Sequence, residues 1–123
     1  MGITHVTATV KSLNATGLSV EAKFLVDTGA INCLLPASML RKAGIQPLKT
    51  EVYELANGQQ TEFPVGAARI DILDRFVMVE VIFGPEDAEP LLGAVALECA
   101  GLVVDPSSQT LRRLHALSLK RAA

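Results

Sequence analysis

From residue 3 to residue 83 the sequence is a succession of short runs rich in Val, Ile, Thr and Phe, each cut off by Gly, Asn, Asp or Pro. Such a chain folds into sheets rather than a helix bundle. Residues 3–13 and 18–26 form the first two runs, and "NATG" between them reads as a hairpin connection. In "KTEVYELANGQQTEFPVG" two polar–apolar arms flank Asn57-Gly58, the strongest short hairpin signal; a type I′ turn there needs positive φ at both residues. The arms carry Glu51, Glu54, Gln59, Gln60, Thr61 and Glu62, so this hairpin faces solvent. "RIDIL" at 69–73 alternates cleanly, and "FVMVEVIF" at 76–83 reads as a more buried strand. Helices are short: Pro36 opens one over 37–43 that Gly44 stops, and a second follows Gly93. "GPEDAEP" is a solvated acidic loop, "DPSS" a turn, "QTLRRLHAL" a last extended stretch, and the tail 117–123 frays.

A chain of 123 residues is one domain, 1–123, large enough for a core. With half its residues hydrophobic and no Trp, that core is aliphatic, built from the Leu, Val, Ile and Ala runs with Met39 and Met78. Net charge is −2 with no basic stripe outside the last dozen residues, which argues against a nucleic-acid partner. No apolar run approaches a membrane span, and the N-terminus lacks the pattern of a signal peptide. A cytoplasmic protein is the expectation. Cys33 and Cys99 lack CxxC spacing and a nearby His cluster, so they read as buried reduced thiols. His5 and His115 are far apart and read as surface or edge residues. Neither a metal nor another cofactor is expected.

The stretch "FLVDTGAIN" interrupts this plain picture, because an apolar run ends on Asp27. A buried carboxylate is costly unless it is paired or hydrogen-bonded. Asp and Gly also form ordinary turns, so a structural turn and a working carboxylate both fit at this level. A second stretch, "EPLLGAVALECAGLVV", repeats the order of apolar strand, glycine and short helix, and sets Leu91-Leu92-Gly93 against Asp27-Thr28-Gly29. The echo suggests an internal two-fold in which one half carries the carboxylate and the other is apolar.

Taken in order, these features resemble the retropepsins, the retroviral-type aspartic proteases, with the "GLVVDP" ending similar to cellular and bacterial members. The likeness rests on "FLV" before Asp27-Thr28-Gly29-Ala30, a hairpin about thirty residues later, two strands, then "LLG" at 91–93 and a helix. It spans roughly residues 6–114. It implies an all-β fold, a closed retropepsin-like β-barrel with a six-stranded core and one or two short helices. It also implies half of a pepsin-like active site per chain. No second Asp-Thr-Gly or Asp-Ser-Gly occurs, so the resemblance implies a homodimer with one Asp27 from each chain.

The implied activity is aspartic endopeptidase, with a peptide or protein as substrate and Asp27, Thr28 and Gly29 as catalytic residues. Two carboxylates about 3 Å apart share one proton and so supply base and acid together. Thr28 would hold the two active loops together, and Gly29 would let backbone approach the carboxylate. Ala30 would pack beside the dyad at the substrate. Ala56, Asn57 and Gly58 would form a flap that closes over an extended peptide. Tyr53 reads as packing, and Leu91 and Leu92 as support beneath the loops. Retroviral members place charged residues after the DTGA and an Arg after the second glycine, whereas this chain has Ile31-Asn32 and Ala94. Two other readings stay open: a non-catalytic peptide-binding or dimerisation module on the same scaffold, and a small β-barrel with an incidental DTG.

Overall fold

The computed structural model describes residues 3–14, 16–114 and 116. The tail 117–123 and His115 lie outside the described residues. Strands β1 (His5–Lys11) and β2 (Ser19–Val26) form the first hairpin, in register from His5 with Leu25 to Lys11 with Ser19. β3 (Cys33–Pro36) leads directly into helix α1 (Ala37–Lys42), which Pro36 precedes and Gly44, at φ +77, follows. A second hairpin joins β4 (Lys49–Glu54) to the long β5 (Gln60–Ile72), which turns back as β6 (Arg75–Gly84). Two residues make β7 (Leu91–Leu92), and α2 (Ala94–Ala100) ends on Gly101 in the left-handed conformation. A separate hairpin of β8 (Leu102–Asp105) and β9 (Thr110–Arg113) completes the chain.

The main sheet runs β1-β2-β7-β3-β6-β5-β4, and the far end of β1 also pairs with β5 at Thr9–Asp71 and Lys11–Arg69. Six strands therefore close into a ring, with β4 attached outside it as an edge. This is the six-stranded, all-β core with one or two short helices that the resemblance implies, here with two. Inside it Val10, Phe24, Leu35, Leu40, Ile70 and Leu92 are each almost wholly buried. Each such apolar side chain contributes about 1.5–3 kcal/mol relative to exposure.

Three expectations need correction. Met78 is 64% exposed, as is about half of Phe76, so the first part of β6 alternates instead of being buried on both sides. Val77, Val79 and Val81 face the core, while the outer face at Phe76 is covered by the Arg69 guanidinium, 4.0 Å above its ring. Cys99 is exposed on α2, whereas Cys33 is buried; both are free thiols. The third correction is at the β4–β5 turn. Gly58 has φ +84 but Asn57 is not among the residues at positive φ. Gly58 N–H donates to the Leu55 carbonyl and Leu55 N–H to that of Gln59, so the loop has three residues instead of two. The Asn57 carboxamide caps it by accepting the Gln59 N–H at 2.9 Å.

Candidate active site

The Asp27 loop is built where β2 runs out. Leu25 and Val26 lie parallel to Leu91 and Leu92, and the pairing continues one residue further as Asp27 N–H donates to the Leu92 carbonyl at 3.0 Å. The chain then turns tightly. Gly29 N–H donates to Asp27 Oδ1 at 2.9 Å, and Ala30 N–H to the Asp27 carbonyl at 3.1 Å. A Cβ on residue 29 would lie 3.2 Å from that same Oδ1, a tight approach that the carboxylate would have to relieve by shifting a few tenths of an ångström. Asp27 is half-buried, Thr28 and Gly29 are exposed, and Ala30 is half-buried. Asp27 Oδ2 has no protein hydrogen bond among the described residues. One oxygen is thus fixed by the backbone and the other is left for something else.

The loop is held from its other side by α2. Ala94 N–H donates to the Ala30 carbonyl at 2.7 Å and Val95 N–H to the Ile31 carbonyl at 3.1 Å. These two amides belong to the first turn of α2, where no carbonyl within the helix can accept them. Gly93 makes the approach possible: a Cβ there would sit 2.5 Å from the Asn32 carbonyl oxygen and 2.6 Å from that of Ile31. The two echoing stretches of the sequence therefore meet in space, the apolar one serving as the bed for the acidic one. Leu92 is buried in that role, and Leu91 is half-buried beside it. Cys33, next to Asn32, hydrogen-bonds the Gly93 backbone; burial nevertheless pushes its thiol up to about 11.

Ala56, Asn57 and Gly58 are all exposed at the tip of the β4–β5 hairpin. Along the arms the side chains alternate: Val52, Glu54, Gln60 and Glu62 are exposed, while Tyr53, Thr61 and Phe63 are half-buried on the other face. That face is tied to the Asp27 loop, because the Asn32 Nδ2 amide donates to Tyr53 Oη at 3.1 Å. Sequence reasoning assigned Tyr53 to packing, which its ring shares with Phe63 at 6.2 Å between centroids, but missed the bond to Asn32. The one Tyr and one of three Asn, 21 residues apart, carry no local signal of pairing.

Other polar groups stand apart. Lys11 and Arg69 both reach Asp71 at 2.7 Å, and His5 lies 3.1 Å from Glu89. A surface groove of about 580 Å³ at the β1–β2 turn, lined by residues including Lys11, Leu18, Arg69 and Met78, shares none with the Asp27 loop. Among the described residues no group of three or more His, Cys, Asp or Glu is gathered for a metal ion, and no helix is long and apolar enough to cross a membrane.

Residues 13–98 match the family model described as "gag-polyprotein putative aspartyl protease". The fold is similar to the solution structure of the simian foamy virus (mac) protease, with a TM-score of 0.54. Identity is 22%, and the likeness covers 76% of this chain and 90% of that one. At that identity it is a likeness of fold. No curated protein sequence matches. The family match runs from the β1–β2 turn into α2 and so takes in the Asp27 loop, the β4–β5 hairpin and Gly93. This chain therefore belongs to the gag-polyprotein aspartyl protease family, with a retropepsin-like fold.

Proposed function

We propose that the chain, a single domain over 1–123, is an aspartic endopeptidase that works as a homodimer with one Asp27 from each protomer. The observation that carries this reading is the Asp27 carboxylate itself, with Oδ1 fixed by the Gly29 amide and Oδ2 unclaimed. Facing carboxyls would share one proton: the ionised one takes a proton from water, and the other protonates the carbonyl oxygen of the scissile peptide. Water attacks the carbonyl carbon, and the proton taken from it goes to the departing amine.

In this reading Thr28, exposed beside Asp27, holds the paired loops together, and Gly29 supplies the amide that orients the carboxylate. Ala30 packs beside the dyad. Ala56, Asn57 and Gly58 form the tip of a flap that covers an extended peptide and excludes water. Ile31, 71% exposed, and Ala94 stand where retroviral members have charges, so the ion pairs of those members are not available to this dimer. A cytoplasmic setting suits the exposed free thiol of Cys99. Asp27→Asn is the direct test of the residue: the variant folds and dimerises but cleaves nothing in a diverse peptide mixture. Equal cleavage by the variant and the wild type removes Asp27 from the mechanism. Peptide binding without cleavage by the wild type makes the chain a binding module instead.

A further inference from the structure

The β4–β5 hairpin is clamped firmly at its base. Lys49 Nζ reaches Glu80 on β6 at 2.7 Å, Leu48 N–H donates to the Val65 carbonyl, and a Cβ on Gly66 would lie 2.8 Å from the Gln46 carbonyl oxygen. Beyond that base the arms pair with each other from Glu51–Phe63 to Glu54–Gln60, and β4 is the outer edge of the sheet. The outer arm is largely exposed, Val52 by 59%. Little apolar burial therefore fixes how far the hairpin leans over the Asp27 loop. Among the described residues, one side-chain hydrogen bond joins its inner face to the Asp27 loop, Asn32 to Tyr53.

Its loop end is rigid. Asn32 follows the two carbonyls that accept from α2, and its own carbonyl abuts Gly93. Its hairpin end is stiffened by the Tyr53–Phe63 contact across the two arms. We infer that Asn32 and Tyr53 are a positioning pair that sets the closed position of the hairpin against the Asp27 loop, and so the affinity for peptide. This rests on the protease reading for its consequence, but not for its existence. The bond is half-buried, so breaking it is not expected to unfold the ring.

The test compares Tyr53→Phe, Asn32→Ala and the double variant by amide hydrogen exchange at the hairpin tip, thermal unfolding and peptide kinetics. A hydrogen bond of this kind is worth about 0.5–1.5 kcal/mol, or roughly 2- to 12-fold in an opening equilibrium. Each single variant is expected to speed exchange of the Leu55 and Gly58 amides by about that factor, with the double variant no faster than either. KM for peptide rises by a similar factor while kcat holds, as expected when binding is lost equally from ground and transition states. Tyr53 is the one tyrosine in a chain without Trp, so its fluorescence reports the Asn32→Ala change independently of activity. Unchanged exchange, additive effects of the two substitutions, or a lower melting temperature with unchanged KM would overturn the inference. If exchange responds as expected but the wild type cleaves nothing, the pairing stands and the protease reading falls.

Discussion

Gly93→Ala adds one methyl group at the point where the two halves of the sequence touch. Its Cβ would meet the Asn32 carbonyl oxygen at 2.5 Å, the Ile31 carbonyl oxygen at 2.6 Å and the Asn32 carbonyl carbon at 2.7 Å. Ordinary contact begins at 3.4 Å, so backbone on one side must retreat by about 0.9 Å. All three atoms are main chain, and no rotamer change can relieve the overlap. Overpacking of this kind costs about 1–3 kcal/mol. With an unfolding entropy of about 2.1 cal/mol/K per residue, each kcal/mol lowers Tm by about 4 °C in a chain of this size, so a fall of roughly 4–12 °C is expected. The loop that retreats carries the carbonyls bonded to Ala94 and Val95, and it continues into Ala30, Gly29 and Asp27. A misplacement near 1 Å at the reacting carboxylate lowers turnover by on the order of 100-fold. The assay is kcat on a cleaved peptide, at a temperature where circular dichroism shows both proteins fully folded. Wild-type kcat in a folded Gly93→Ala protein would refute the claim that α2 and Gly93 set the geometry of the Asp27 loop.

Thiol chemistry gives a second expectation: in the native protein a maleimide labels Cys99 at pH 8 and spares Cys33, while both react in denaturant. Fast labelling of Cys33 would contradict its burial and its raised thiol value. Peptide hydrolysis is expected to be bell-shaped in pH with its maximum at about pH 4 to 6, since a shared proton is lost above that range and doubled below it. A plateau through pH 8 would point to another base. Burial alone would raise the Asp71 carboxyl, but hydrogen bonds from Lys11 and Arg69 outweigh it and hold it below the usual range. Its folded-state value lies below the unfolded one, so this stabilisation is present above about pH 4 and lost as pH falls through the lowered value. Asp71→Asn should therefore flatten the acid limb of the stability curve, and an unchanged limb in pH-dependent melting would remove Asp71 from it.

Much of the ring was legible because period-two patterns and turn residues act locally. β1, β2 and the helix opened by Pro36 and stopped near Gly44 follow from their own residues. Asp27 stood out as a candidate because a carboxylate after an apolar strand conflicts with burial alone, but preferring a working site to a turn took the resemblance carried by Asp27-Thr28-Gly29-Ala30. What stayed hidden depends on neighbours distant in sequence. "FVMVEVIF" reads as a more buried strand with Met78 in the core, whereas Met78 lies on the outward face of β6 and is exposed. The three-residue loop at Asn57-Gly58 reflects the Asn57 carboxamide capping Gln59, which competes with the two-residue turn that the dipeptide favours. The role of Gly93 came only with the distance to Asn32, although the echo of the two stretches had already set them against each other.

One measurement bears most directly on the claim that two chains share one active site. Wild-type protein is mixed with Asp27→Asn at varying ratio and constant total concentration, subunits are allowed to exchange, and peptide hydrolysis is measured. If each dimer needs two acids and exchange is random, activity follows the square of the wild-type fraction, so an equal mixture retains roughly a quarter of the wild-type rate. Activity proportional to the wild-type fraction, after exchange has been demonstrated with labelled subunits, would contradict the shared dyad and require a second acid within one chain.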